Sequence, residues 1–355
     1  MATYDIAVIP GDGIGKEVMD YGVKALQIGA EIHGGFSFEF QQFPWSCEYY
    51  QQHGKMMPSN GIEILNGFNA IFLGAVGLPA LVPDHISLWG LLIEIRREMR
   101  QYINLRPVKQ MRGVQSPLAS PKDFDIVVVR ENSEGEYSPI GGRMGHNENE
   151  IAIQNAVFTR KGVDRAVRYA FELAVKRDKK FLTSATKSNG IIHSMPFWDE
   201  VFHQVGQEYN HIIQQSTHID ALCAFFVTKP HTLDVVVASN LFGDILTDLG
   251  AAIMGSIGIA PSANINPEKK YPSMFEPVHG SAPDIYGKGI ANPIGQIWSA
   301  KMMLDFFGYE EIGHLLLEAI EDTLEQGIAT PDLKGTSSTS EVGEAILGTF
   351  KKKQK

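Results

Sequence analysis

The sequence predicts an α/β protein built on a largely parallel sheet, and three observations lead there. Compact apolar runs rich in β-branched residues, Ala70-Ile71-Phe72-Leu73, Ile126-Val127-Val128-Val129 and Val235-Val236-Val237-Ala238, have the composition of strands covered on both faces. Between them lie helical patterns such as Val163, Val167, Ala170 and Ala174, spaced to bury one side of a helix. The length, 355 residues, suits about two domains. Alternation of strand and helix along a chain is the mark of the α/β class.

Tyr4-Asp5-Ile6-Ala7-Val8-Ile9 is short, β-branched and closed by Pro10 and Gly11, so a strand runs into a glycine turn. From Lys16 onward Met19, Val23, Leu26 and Ala30 recur with helical period, which predicts a helix after that turn. Gly11-Asp12-Gly13-Ile14-Gly15 invites a dinucleotide-binding reading, since glycines let a backbone approach a pyrophosphate at a helix start. The spacing fails. Lys16 stands where the third glycine of that fingerprint belongs, and no Gly-Lys-Ser or Gly-Lys-Thr follows to cradle a phosphate. The stretch reads as a tight strand-to-helix turn, with any nucleotide held elsewhere. Beyond Gly250 the chain is rich in Gly, Pro, Ser and Asn as far as Ala291-Asn292-Pro293, which reads as loops carried on a scaffold. Leu249 to Pro267 is the longest uncharged stretch, but its glycines and Pro261 exclude a spanning helix. Ser338-Thr339-Ser340-Glu341 has the spacing of a capping box and starts the final helix, and Lys351-Lys352-Lys353-Gln354-Lys355 reads as a frayed, solvated end.

Composition excludes several classes. Lysine plus arginine total 31 against 41 aspartate plus glutamate, and the net charge of −10 argues against non-specific binding to nucleic acid or an anionic membrane. The two cysteines, Cys47 and Cys223, have no metal-ligand spacing, so neither a zinc site nor a disulfide framework is expected and a reducing cytoplasm fits. The first residues run into a strand with no basic stretch before an apolar one, so no secretory signal is expected.

Carboxylates and guanidinium groups supply the candidate chemistry. Asn240-Leu241-Phe242-Gly243-Asp244-Ile245-Leu246-Thr247-Asp248 reads as a helix capped by Asn240. Asp244 and Asp248, four apart, share one face and repel, so something positive should lie between them. Magnesium or manganese suits such a pair; the other reading is a solvated face with lysine or arginine partners, although no basic residue lies between Lys229 and Lys269. Asp220 is either a third carboxylate or an ordinary cap. Arg96, Arg97 and Arg100 read first as the exposed side of an amphipathic helix. Arg106 differs because Pro107 ends that helix and holds the preceding residue extended, and Arg130 ends an apolar strand, where a charge implies an opening into a site. Arg96, Arg106 and Arg130 together suit a substrate with two carboxylates. Tyr137, on a loop with Gly135, is either a buried hydroxyl with a backbone partner or a functional one.

Taken jointly, Gly11 to Gly15, Asn104-Leu105-Arg106-Pro107, Arg130-Glu131-Asn132, Asn240-Leu241-Phe242-Gly243-Asp244 and Glu276-Pro277-Val278-His279-Gly280-Ser281-Ala282-Pro283-Asp284 resemble the isocitrate and isopropylmalate dehydrogenase family over nearly the whole chain. Pro83-Asp84-His85-Ile86-Ser87-Leu88-Trp89-Gly90-Leu91-Leu92 is similar to the branch of D-malate dehydrogenase and tartrate dehydrogenase/decarboxylase. The resemblance implies a mixed, mostly parallel sheet flanked by helices, with the active site in an interdomain cleft. Residues 1–101 plus 256–355 would form an NAD-binding domain, and 102–255 a dimerisation and metal/substrate domain. It implies metal-dependent oxidation of a small 2-hydroxy dicarboxylate by NAD, with release of carbon dioxide.

The resemblance also assigns roles. Arg96, Arg106 and Arg130 match the substrate carboxylate clamp. Asp220, Asp244 and Asp248 match ligands of magnesium or manganese, Asp220 coming from the second subunit of a homodimer. Tyr137 matches the proton donor and Lys187, in Ala185-Thr186-Lys187-Ser188-Asn189, a lysine supplied by the neighbouring subunit. NAD would be held by Glu276, His279, Gly280, Ser281, Ala282 and Asp284, with Asn189 and Asn292. A carboxylate at Asp284 accepts from free ribose hydroxyls and repels a 2′-phosphate, favouring NAD over NADP. Potassium or ammonium as a further cofactor stays open. Isocitrate relatives place serine and asparagine where Gly90 and Leu92 stand, which disfavours isocitrate. Isopropylmalate relatives have glutamate where Trp89 stands, so the indole leaves room for only hydrogen or hydroxyl at carbon 3. D-malate and tartrate are the expected substrates, with 3-isopropylmalate as the alternative. A phosphate switch would need the missing lysine-serine/threonine pair, and a non-catalytic dicarboxylate binder would not need Asp220, Asp244, Asp248 and Lys187 together.

Overall fold

The computed structural model describes residues 2–119 and 122–353. The chain opens with β1 (Ala2–Gly11), α1 (Gly15–His33), β2 (Phe36–Gln42), short helices α2 (Cys47–His53) and α3 (Gly61–Leu65), and β3 (Ala70–Ala75). Helix α4 (Asp84–Ser87), a π-helical turn over Leu88–Leu92 and α5 (Ile93–Glu98) lead into β4 (Ile103–Lys109) and β5 (Asp125–Glu131). A hairpin of β6 (Gly141–Met144) and β7 (Ile151–Gln154) precedes α6 (Arg160–Lys176), β8 (Phe181–Thr186), α7 (Ser194–Gly206), β9 (Ile213–His218) and α8 (Ile219–Thr228). The chain continues through β10 (Val235–Ala238), α9 (Asn240–Met254), β11 (Pro261–Ile265) and β12 (Ser273–Pro277). It finishes with α10 (Ile294–Phe306), α11 (Glu310–Glu325) and α12 (Thr339–Lys351).

Two compact units result, one of Met1–Gln101, Gln110–Pro117 and Met254–Lys355, the other of Tyr102–Lys109 and Leu118–Ile253. Ten strands, mixed and mostly parallel, divide five and five between them. In the first unit the order is β2-β1-β3-β12-β11, parallel except for β11 against β12. In the second it is β4-β5-β10-β8-β9, parallel except for β4 against β5. The β-branched runs form the buried centres: every residue of β3 and of β10 is buried. Val163, Val167, Ala170 and Ala174 are all buried on α6, as their spacing requires. Helix α10 is buried on nearly every side, which is why it shows no polar face.

The glycine turn packs against its own chain. Gly11 has φ +70°, and a Cβ there would lie 1.9 Å from the Ala75 carbonyl oxygen. At Gly13, φ +51°, a Cβ would lie 2.0 Å from the Ser281 oxygen. Asp12, 1% exposed, accepts hydrogen bonds from the Cys47 and Gly77 amides at 2.8 and 3.0 Å, tying the turn to two further loops.

Four local expectations differ from the structure. Helix α5 ends at Glu98 and Arg100 takes φ +47°, so the helix stops well before Pro107 and Arg106 lies inside β4. The Gly250–Pro293 region, expected as loops, contains β11 and β12, both wholly buried. Helix α9 begins at Asn240 itself, whose side-chain oxygen is taken by Arg130 and so does not cap the helix. The lysine tail continues α12 to Lys351, and Lys353 pairs with Glu318 at 3.1 Å and Asp322 at 2.9 Å; Gln354 and Lys355 lie outside the described residues. The capping box of α12 is formed on both sides, Ser338 with Glu341.

Candidate active site

In the second unit, strands β4 and β5 present two arginines to the first turns of α9. Arg130, 3% exposed, donates from Nη1 to Asp244 Oδ1 at 2.5 Å, and from Nε and Nη2 to Asn240 Oδ1 at 3.0 and 2.7 Å. Gly243 makes this approach possible, since a Cβ there would lie 2.7 Å from the Arg130 side chain. Arg106 donates from Nη1 to Thr247 Oγ1 at 2.7 Å and reaches Asp244 Oδ1 at 3.4 Å and Asp248 Oδ1 at 4.0 Å. Tyr137 donates its hydroxyl to Asp244 Oδ2 at 2.8 Å, with the Arg130 guanidinium 5.5 Å from its ring centre. The positive charge that the paired aspartates demand thus comes from strands far away in sequence. Burial of one side of Asp248 pushes its carboxyl up from the ordinary range; Asp244 adds to this, while Arg106 and Arg130 pull the other way.

Three supporting residues were not read as parts of the site from the sequence. Thr247 receives Arg106 and returns its hydroxyl proton to the Gly243 carbonyl at 2.8 Å. Glu136 accepts from Ser239 Oγ at 2.9 Å and the Leu241 amide at 3.2 Å, placing negative charge at the amino end of α9 where the helix dipole favours it. Asn240 is the third. Only its position one residue before an apolar helical run marked it, and that pattern pointed to a cap.

Lys187, just past β8, pairs with Asp220 of α8 at 2.9 Å, and this hydrogen bond holds the Asp220 carboxyl below the usual range. Asn189 stands exposed in the turn after Lys187. Among the described residues no group of three or more His, Cys, Asp or Glu side chains is placed to hold a metal ion within one copy. The structure brings Asp244 and Asp248 together and sets Asp220 with Lys187.

In the first unit, Arg96 is no exposed helix residue. Its Nη2 donates to Glu276 Oε1 at 2.6 Å, with the two side chains 13% and 8% exposed. Ser281 is bound into the glycine turn, its hydroxyl donating to the Gly77 carbonyl and its own carbonyl accepting from the Ile14 amide at 2.9 Å. His279 is buried with Nδ1 at 2.9 Å from the Gly280 carbonyl and Nε2 without a protein partner; burial lowers its pKa. Ala282 takes φ +40°, rare for a residue with a side chain, and Asp284 is exposed beyond it. Asn292 accepts from the Ile294 amide at 3.0 Å and donates to Asp332 at 3.0 Å. Trp89 is 38% exposed on the π-helical turn, with Arg97 stacked 4.7 Å from its ring centre.

The donors fit the groups the sequence implies. Asp244 and Asp248 offer hard carboxylate oxygens, and magnesium takes one or two of these from a protein and completes its shell with water and substrate oxygens. The unpartnered Nε2 of His279 and the exposed carboxylate of Asp284 suit a ligand rich in hydroxyls and amides.

Comparison with known proteins decides the kinship. The isocitrate/isopropylmalate dehydrogenase family matches residues 5–346. The chain belongs to this family. A probable tartrate dehydrogenase/decarboxylase of Bacillus subtilis (strain 168) is 64% identical over 352 residues, covering 99% of each chain. The D-malate dehydrogenase [decarboxylating] of Escherichia coli (strain K12) is 58% identical over 355 residues, covering 98% of each. The crystal structure of isocitrate dehydrogenase from Methylococcus capsulatus superimposes with a TM-score of 0.87 at 32% identity, covering 98% of this chain and 99% of that one. As a family member the chain is an oxidoreductase, and decarboxylation is part of both relatives' names.

Proposed function

We propose that this protein oxidises and decarboxylates D-malate or tartrate, with NAD as hydride acceptor and magnesium or manganese as metal. The observation that carries the reading is the convergence on Asp244 of Arg106, Arg130 and the Tyr137 hydroxyl. A carboxylate carrying that much positive charge is a site primed for a second anion, and a small diacid is such an anion. The relatives named for tartrate and D-malate support the choice of substrate.

Asp244 and Asp248, with Asp220 from a second copy, would hold the divalent cation, whose chemistry is Lewis acidity toward substrate oxygens. His279, Ser281, Asp284 and Asn292 would hold NAD, which when bound would supply the hydride acceptor. Arg96, Arg106 and Arg130 hold the substrate carboxylates. Lys187 Nζ of the second copy, as the neutral amine, takes the substrate hydroxyl proton as general base. Tyr137 gives its hydroxyl proton to carbon 3 once carbon dioxide has left. In the resting structure that proton is already ordered by Asp244 at 2.8 Å. The homodimer this scheme requires is consistent with the β6–β7 hairpin, whose Met144, Ile151 and Ile153 are 61%, 52% and 47% exposed. Asp284 as ribose acceptor favours NAD over NADP. No helix among the described residues is long and apolar enough to cross a membrane. The two free cysteines, Cys47 and Cys223, support a reducing, cytoplasmic setting.

The test is a spectrophotometric screen of NAD reduction with D-malate, L-tartrate, meso-tartrate, 3-isopropylmalate and isocitrate, with and without manganese. Manganese-dependent turnover of D-malate or a tartrate is expected. Turnover of 3-isopropylmalate at least as efficient as that of D-malate would defeat the argument from Trp89.

A further inference from the structure

The resemblance sets Glu276 among the cofactor contacts, and in the structure one oxygen of its carboxylate has a further task. Glu276 is the penultimate residue of β12 and lies in register with Ser262 of the neighbouring β11. Its Oε1 receives two donors, Arg96 Nη2 at 2.6 Å and Asn264 Nδ2 at 2.7 Å. Asn264 belongs to β11, which is wholly buried, so the carboxylate is anchored by one strand while it rests on another. Arg96 reaches it from α5, 180 residues away in sequence. The Arg96 Nε is buried with no protein partner. A guanidinium is a planar fork, and fixing one nitrogen fixes the plane of the rest.

We infer that Glu276 is a positioning residue for Arg96 and so a determinant of how the enzyme holds the dicarboxylate. With Nη2 committed to Glu276, the plane of the guanidinium is set before substrate arrives. Preorganisation of this kind lowers the cost of binding because the side chain has no rotamers left to lose. The inference rests on the reading above that Arg96 binds a substrate carboxylate.

Glu276→Gln tests it, because glutamine keeps an acceptor oxygen for Asn264 and removes the charge that holds Arg96. The Michaelis constant for D-malate or tartrate, whichever the enzyme turns over, should rise about ten-fold while that for NAD stays within about two-fold. In an Arg96→Ala background the same change should add less than about two-fold, because the residue it positions is gone. Glu276→Asp, which keeps the charge on a shorter stem, should fall between wild type and Glu276→Gln. A rise in the NAD constant with the dicarboxylate constant unmoved, or full additivity with Arg96→Ala, would overturn the inference. A second readout needs no turnover: the rate at which phenylglyoxal modifies Arg96, followed by peptide mass spectrometry. Release from Glu276 should speed that modification several-fold in Glu276→Gln, and an unchanged rate would overturn the positioning role. Absence of NAD reduction by the wild type with every dicarboxylate would instead strike the proposed function and leave the phenylglyoxal comparison to decide the role of Glu276.

Discussion

Replacing Tyr137 by phenylalanine removes one oxygen and little else. The ring remains to stack near Arg130, 5.5 Å away, while the hydroxyl that donates to Asp244 at 2.8 Å is lost. A hydrogen bond to a charged group contributes about 1.5–3 kcal/mol, and with Tyr137 37% exposed the loss to stability should be only about 1 kcal/mol. Catalysis should suffer far more. A positioned general acid contributes about 10² to 10⁴ in rate, or about 2.7 to 5.4 kcal/mol of barrier at 1.36 kcal/mol per decade. The two half-reactions separate the effects: NAD reduction with D-malate reports oxidation, and release of carbon dioxide from oxaloacetate reports decarboxylation followed by protonation of carbon 3. Decarboxylation should fall on the scale given, with the Michaelis constants and the melting curve near those of wild type. A Tyr137→Phe enzyme that decarboxylates oxaloacetate at the full rate would show that the proton comes from elsewhere.

Three further perturbations have defined outcomes. Arg130→Met leaves Asp244 and Asn240 without their buried partner and should cost about 2 to 4 kcal/mol in urea unfolding, besides abolishing turnover; a change below about 1 kcal/mol would mean the pair is not a structural tie. Gly11→Ala sets a methyl group 1.9 Å from the Ala75 oxygen at φ +70° and should sharply reduce soluble yield and melting temperature, whereas a wild-type melt would show the turn to be pliable. Lys353→Met tests the linkage of the carboxyl-terminal lysine to pH. Lys353 holds Asp322 below the ordinary carboxylate range, with Arg112 assisting, and Asp322 and Glu318 raise Lys353. A depressed acid adds stability above its unfolded pKa and loses it as pH falls through the lower folded value, and a raised lysine loses its share as pH climbs through the raised one. The wild type should therefore exceed the variant by about 0.2–1 kcal/mol near neutrality, with the gap closing at both acid and alkaline extremes; a gap independent of pH would refute the ion pair as its source.

How much of this was legible in the sequence depended on range. The β-branched runs and the one-sided spacing in α6 are local signals, and the strands and helix they announce are present. Strands β11 and β12 escaped because their buried positions carry Pro261, Ser262, Asn264, Ser273 and Glu276, polar or cyclic residues that interrupt an apolar run, Asn264 and Glu276 bonding each other across the two strands. The end of α5 escaped because Arg100 reverses the chain in a left-handed conformation that no glycine or proline marks. At the site, the shared face of Asp244 and Asp248 followed from helical spacing, and so did the need for positive charge beside them. That Arg106 and Arg130 supply it depends on antiparallel pairing of β4 with β5, which spacing does not reveal. The pairing of Arg96 with Glu276 was beyond any local reading, since nothing in a stretch of helix names a carboxylate on a distant strand.

The division of the chain bears on how it is made. The unit holding β1 and β3 also needs β12, which lies beside β3 and is encoded some two hundred residues later, so that sheet stays unfinished until more than three quarters of the polypeptide has left the ribosome. The unit of Tyr102–Lys109 and Leu118–Ile253 uses one nearly continuous stretch and is free to condense first, while the earlier strands wait with an open edge.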